Sequence, residues 1–219
     1  PDSGAVMVVR AHGISPERRK YLKSLGLEFR DATCPDVGII AGKIRQHSRK
    51  GYNTVIFGDP KHPEVIGLMG YTKDQGYVVR NEEDLRALPD LGDKVCMVSQ
   101  STMFTDEFER LGGLLREQYP EAVVIDTICG ATKERQSDVL YLKEAGAQAI
   151  VVIGGRHSAN TKKLALLVEK QGIPAYHVET LKELDTAHLR DNYDTVGVTA
   201  GASTPEFLIR EVVEALEAA

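Results

Sequence analysis

Short apolar runs rich in Val and Ile alternate along this chain with segments whose apolar residues recur at helical spacing. The runs fall at Val6–Val9, Thr54–Phe57, Tyr77–Val79, Val95–Val98, Val123–Ile125, Ile150–Ile153, Ala175–Val178 and Thr195–Val198. The intervening pattern predicts helices over Pro16–Leu25, Val37–Lys50, Pro63–Thr72, Asp106–Gln118, Thr132–Ala145, Thr161–Gln171 and Pro205–Ala218. Continuous apolar runs joined by helices predict α/β architecture, with parallel sheets covered on both faces. Right-handed crossovers then bring the C-terminal ends of the strands to one edge. Ser15-Pro16-Glu17 reads as an N-cap followed by proline at the first helical position, and Ser203-Thr204-Pro205-Glu206 has the same character. Asn81–Leu88 and Thr180–Leu184 read as short surface helices. The charge-rich stretches Arg80–Arg86 and Lys182–Arg190 read as solvated faces.

The pattern repeats. Asp31-Ala32-Thr33-Cys34 and Asp126-Thr127-Ile128-Cys129 each precede a helix, a strand ending in Gly58 or Gly154, and then His62/Glu64 or Ser158/Asn160. Asp93–Thr102 aligns with Asp194–Ser203, and Val6–His12 fits the same strand with His12 opposite Ser101. These matches predict repeated parallel-sheet α/β units around a central site. The expected divisions are residues 31–125 and 126–219 as whole units, with 1–30 as the tail of an earlier one.

Composition excludes several classes. The 219 residues are 42% hydrophobic and 27% charged, with a net charge of −5 and no basic block, so nucleic acid and anionic membranes are not expected partners. No signal-peptide or membrane-span pattern is present. Three cysteines are too few for a disulfide scaffold and predict free thiols in a reducing, cytoplasmic setting.

Cys34 and Cys129 are candidate metal or cluster ligands, since a helix N-terminus favours thiolate; the plain alternative is two buried residues at similar turns. Cys96 lies mid-strand and reads as core. In His62-Pro63-Glu64 the acid could donate a proton and the imidazole could hold an anion, or both could simply cap a helix. Ser158 and Asn160, placed equivalently, are short hydrogen-bonding groups suited to phosphate at a helix start. His12, Ser101 and Ser203 fall at the remaining strand ends, and together these groups resemble a diphosphate cradle. His47 reads as solvated, His177 and His188 lie outside this set, and His157 has no assigned role.

Several of these motifs closely resemble the 4-hydroxy-3-methylbut-2-enyl diphosphate reductase family. They are Arg10-Ala11-His12-Gly13, Asp31–Pro35, His62-Pro63-Glu64, Asp126–Gln136 with Thr132, Arg135 and Gln136, Gly154–Thr161 and Gly197–Ser203. The resemblance implies three α/β units around a 4Fe-4S cluster held by three cysteines, of which Cys34 and Cys129 match the second and third. The first cysteine, and one further diphosphate-binding histidine, belong to a family segment that this sequence does not contain. The chain is therefore expected to be an N-terminally truncated reductase, inactive alone and a poor holder of the cluster.

The implied reaction is reductive dehydroxylation to isopentenyl and dimethylallyl diphosphate, with ferredoxin or flavodoxin as electron donor. Glu64, Ser101 and His62 match catalytic positions, and His12, His62, Ser101, Ser158, Asn160 and Ser203 match substrate-binding ones. Ser101 stands where the family usually has Thr, and Ala159 where some members have Ser. The competing expectation is a diphosphate-binding module without a cluster.

Overall fold

The computed structural model describes residues 6–26 and 28–218, so segments expected to start at Pro1 or end at Ala219 are described without those ends. The chain forms two compact units, residues 1–128 and 129–219.

In the first unit, β1 (Met7–Val9) and β2 (Phe29–Asp31) pair in parallel, connected through α1 (Pro16–Ser24). Then follow α2 (Pro35–Ser48), β3 (Asn53–Phe57), α3 (Pro63–Met69), β4 (Gly76–Val79), α4 (Glu82–Arg86), β5 (Val95–Ser99), α5 (Thr105–Gln118) and β6 (Val123–Val124). The four strands β3 to β6 form one parallel sheet in the order β4-β3-β5-β6. The second unit runs α6 (Gly130–Glu144), β7 (Ala149–Ile153), α7 (Ala159–Lys170), β8 (Ala175–Val178), α8 (Thr186–Asn192), β9 (Val196–Ala200) and α9 (Glu206–Glu217). Its parallel sheet has the order β8-β7-β9.

Burial on both faces explains the continuous apolar runs. Successive side chains of a strand point to opposite faces. Val55 and Phe57 of β3 accordingly join Met97, Leu111 and Leu115 in one cluster, while Ile56 joins Val98, Ile40, Ile44 and Leu68 in another. In β7, Val151 and Ile153 pack with Val178, Leu189 and Val212. Each such side chain contributes roughly 1.5–3 kcal/mol when fully buried. Ile128 packs into the first unit's core, which carries that unit three residues past the repeat boundary at 125.

The repeat holds in the sheet register. Phe57 faces Val79 and Ser99, and Ile153 faces Val178 and Ala200. The same register moves His12 by one place. Met7 pairs with Phe29 and Met97 with Val124, so matching Asp31 to Asp126 sets His12 opposite Thr102 and Ser203, not Ser101. Equivalent turns confirm it: Gly13, Met103 and Thr204 donate to the carbonyls of Arg10, Gln100 and Gly201.

Other differences have local causes. Strand β2 carries Arg30 and Asp31 and is only part-buried, so it lacks an apolar run. Helix α8 overlaps the stretch read as a solvated face and runs two residues past it. Asp185 caps it by accepting from the His188 amide at 2.9 Å, and Leu189 is its single buried residue. Before α9, Pro205 occupies the N-cap itself, and the Thr204 hydroxyl donates to the Ile153 carbonyl at 3.0 Å instead of capping.

Leu189 is 0% exposed and anchors α8. Leu189→Ala should therefore cost about 2–5 kcal/mol, read from urea unfolding. A loss below about 0.5 kcal/mol, the usual range for surface substitutions, would show that α8 is not packed as described.

Candidate functional site

In the first unit the site begins with Asp31. Its Oδ1 accepts from the Thr33 amide at 3.1 Å and the Thr33 hydroxyl at 2.6 Å, and Oδ2 pairs with Arg19 at 2.5 Å. This side-chain turn delivers Cys34 to the N-cap of α2, where the Cys34 amide donates to the Ala11 carbonyl at 2.9 Å. The segment bearing His12 is thereby tied to the cysteine turn. His12 and Cys34 also line one cavity of about 360 Å³.

Helix α3 starts beside this region because His62 caps it and Pro63 at the first position has no amide to satisfy. His62 Nδ1 accepts from the Glu64 amide at 3.3 Å, so a neutral His62 carries its proton on Nε2. The His12 ring meets His62 edge-on at 5.1 Å, and His12 Nδ1 is buried without a hydrogen-bond partner. Glu64 is 2% exposed. Its Oε1 accepts from the Ser101 amide at 2.7 Å and its Oε2 from the Ser101 hydroxyl at 2.7 Å. Parallel pairing of β3 with β5 makes this possible, since both strands end at the same edge.

At the end of the first unit, Asp126 Oδ1 accepts from the Ile128 amide at 3.1 Å, repeating the turn before a cysteine, here Cys129 at the start of the second unit. Cys129 caps α6: its sulfur accepts from the Thr132 amide at 3.3 Å and lies 3.2 Å from the Thr132 hydroxyl. Ser158 caps α7 by accepting from the Thr161 amide at 3.2 Å, and Asn160 follows in the first turn. Ser203 is exposed in the turn after β9. The expected residues thus fall into two sets. His12, Cys34, His62, Glu64 and Ser101 belong to the first unit, and Cys129, Ser158, Asn160 and Ser203 to the second.

These strand-end residues are the ones by which the chain resembles a known family, and a direct comparison decides the matter. The model of the LytB protein family matches residues 2–217. The chain belongs to the LytB family. A 4-hydroxy-3-methylbut-2-enyl diphosphate reductase from Opitutus terrae is 62% identical over 218 residues, covering 100% of this chain and 75% of that protein. The enzyme of the same name from Caldanaerobacter subterraneus subsp. tengcongensis is 39% identical, covering 98% and 73%. Among solved structures, the Plasmodium falciparum E-1-hydroxy-2-methyl-but-2-enyl-4-diphosphate reductase superposes with a TM-score of 0.89 at 29% identity. The match covers 95% of this chain and 66% of that one. A second, an (E)-4-hydroxy-3-methyl-but-2-enyl diphosphate reductase described as the terminal enzyme of the non-mevalonate pathway, gives a TM-score of 0.64 at 34% identity. It covers 100% of this chain and 80% of that one.

An iron–sulfur cluster takes cysteine thiolates, and the LytB chain offers two of suitable kind. Cys34 and Cys129 are free thiols, part-exposed, each at the N-cap of a helix. Among the described residues, no group of three or more His, Cys, Asp or Glu side chains is gathered around one point. Cys96 is different. It is fully buried, 3.4 Å from the Thr54 hydroxyl, and burial raises its thiol pKa.

Four residues make contacts that the sequence motifs alone did not assign. Asp31 and Asp126 build the cysteine turns, a role signalled by Asp two residues before an amide it can hold. Thr132 touches the Cys129 sulfur, three residues on in capping register. Gln100 accepts from the Asp59 amide at 3.0 Å and so braces the loop before His62; only the fold could reveal that contact.

The Thr33 hydroxyl bond, followed by the Arg19 contact, lowers the Asp31 pKa below its ordinary 3.8. A depressed carboxyl pKa gives stability that is present above the unfolded value and lost as pH falls through the folded one. The destabilisation caused by Asp31→Asn should therefore be constant from about pH 7 to 5 and shrink below about pH 4, measured by urea unfolding. A penalty that does not change with pH would contradict this.

Proposed function

We propose that this chain carries the proton-delivering and diphosphate-holding groups of a reductase acting on 4-hydroxy-3-methylbut-2-enyl diphosphate. Isopentenyl and dimethylallyl diphosphate are the products. The balance is two electrons and two protons in, with the allylic hydroxyl leaving as water. The observation that carries this reading is the buried Glu64 carboxyl held at both oxygens by Ser101.

That contact suits an acid that must deliver one proton in one direction. Oε1 is engaged by a backbone amide, which can only donate, so a proton on the carboxyl belongs on Oε2. A proton there turns the Oε2 hydroxyl towards Ser101 Oγ, and Ser101 can pass its own proton to the departing oxygen. Burial of Glu64 keeps bulk water from short-circuiting the transfer. A neutral His62 presents Nε2–H to an anion because Nδ1 holds the Glu64 amide. His12, Ser158, Asn160 and Ser203 complete the diphosphate contacts, with the N-terminal end of α7 adding an anion-favouring field.

Cys34 and Cys129 would be among the ligands of a 4Fe-4S cluster, which when bound supplies the electrons that a ferredoxin or flavodoxin delivers. Free thiols at both helix N-caps support that assignment, and they suit a reducing, cytoplasmic setting.

In a complete, cluster-loaded reductase that carries these residues, Glu64→Gln should lower turnover by roughly 10²–10⁴-fold, the usual worth of general acid catalysis, while substrate affinity changes little. Turnover close to the parent's would remove Glu64 from the mechanism. Diphosphate binding with no turnover in that complete, cluster-loaded protein would favour the binding module.

A further inference from the structure

The loop that carries Ser158 into α7 is gripped from the edge strand β8 and the segment just after it. His177 Nε2 donates to the Gly154 carbonyl at 2.9 Å, and Glu179 Oε1 accepts from the Arg156 amide at 2.5 Å. Residues two apart along an extended segment point the same way, so both side chains take hold of the loop together. Glu183 adds a further tie, accepting from the Arg156 guanidinium at 2.6 Å.

The first unit braces its corresponding loop differently, through Gln100 and the Asp59 amide. The residue matching Gln100 is Gly201, where a Cβ would lie 2.2 Å from the Thr161 hydroxyl oxygen. Room for Thr161 therefore removes the side chain that would have braced the loop. The support moves to the opposite side, where His177 and Glu179 replace the matching Val78 and Arg80. Arg80 itself turns away to pair with Asp84. A carboxylate beside an anion site would repel its ligand, so the presence of Glu179 is explained by the amide it holds.

We propose that Glu179 and His177 are positioning residues for diphosphate binding, fixing the Gly154–Ser158 loop so that Ser158 and Asn160 stand correctly at the start of α7. This rests on the reading of that helix start as a diphosphate subsite. Neither side chain needs to touch the substrate.

The test combines calorimetric titration of the full chain with inorganic pyrophosphate and amide hydrogen exchange of the ligand-free chain. Glu179→Ala should speed exchange at the Arg156 amide and weaken pyrophosphate binding roughly tenfold, the loss expected for one hydrogen bond to a charged group. Glu179→Gln keeps an acceptor oxygen and should restore both. Ser158→Ala marks the subsite itself. If it binds pyrophosphate as the parent does, the subsite reading fails and this inference with it. If Ser158→Ala weakens binding while Glu179→Ala binds as tightly as the parent, the positioning role alone is overturned. Failure of Glu179→Gln to restore binding would assign the effect to charge and equally contradict it.

Discussion

The constraint on which the first unit's site depends is the pair of hydrogen bonds from Ser101 to the Glu64 carboxyl. Glu64 follows β3 and Ser101 follows β5, far apart in sequence, and they meet because the two strands run parallel with Phe57 opposite Ser99. An unpartnered carboxyl this deeply buried would be costly. Here a backbone amide and a hydroxyl satisfy it at 2.7 Å each. The apolar cores on both faces of the sheet thus serve the chemistry by holding two loop starts in fixed register.

The two units show how one frame supports different tasks. Where the first has His62, Glu64 and the Gln100-Ser101 pair, the second has Ser158, Asn160 and the Gly201-Ala202 pair. The first set pairs a buried carboxyl with a hydroxyl, next to an imidazole. The second is short, neutral and hydrogen-bonding, suited to an anion. An aspartate turn precedes the N-cap cysteine of α2 and of α6 alike, so the feature common to the two repeats is the thiol's setting.

Much of this was legible in the sequence because it follows from periodicity. Strands buried on both faces announce themselves as Val- and Ile-rich runs, and every such run became a strand. Strand β2 did not, because its short, half-exposed Phe-Arg-Asp carries no burial signal. Helix α8 was hidden for the same reason: one buried leucine among charges is a weak stripe. The motif residues themselves were visible, but their contacts were not. The one-residue shift of His12 needed the sheet register, and the Glu64–Ser101 contact needed the strand order. The roles of Glu179 and His177 depend on which strand lies at the sheet edge, which local sequence does not encode.

The central claim is that Glu64 and Ser101 act as one proton-delivering unit, and a double-mutant cycle on the turnover of a complete, cluster-loaded reductase carrying both residues tests it most directly. Groups that act as a unit are non-additive. The account predicts that Glu64→Gln combined with Ser101→Ala is scarcely slower than Glu64→Gln alone. Two losses that multiply in full would contradict it, showing that the contact between these side chains is not the path of the proton.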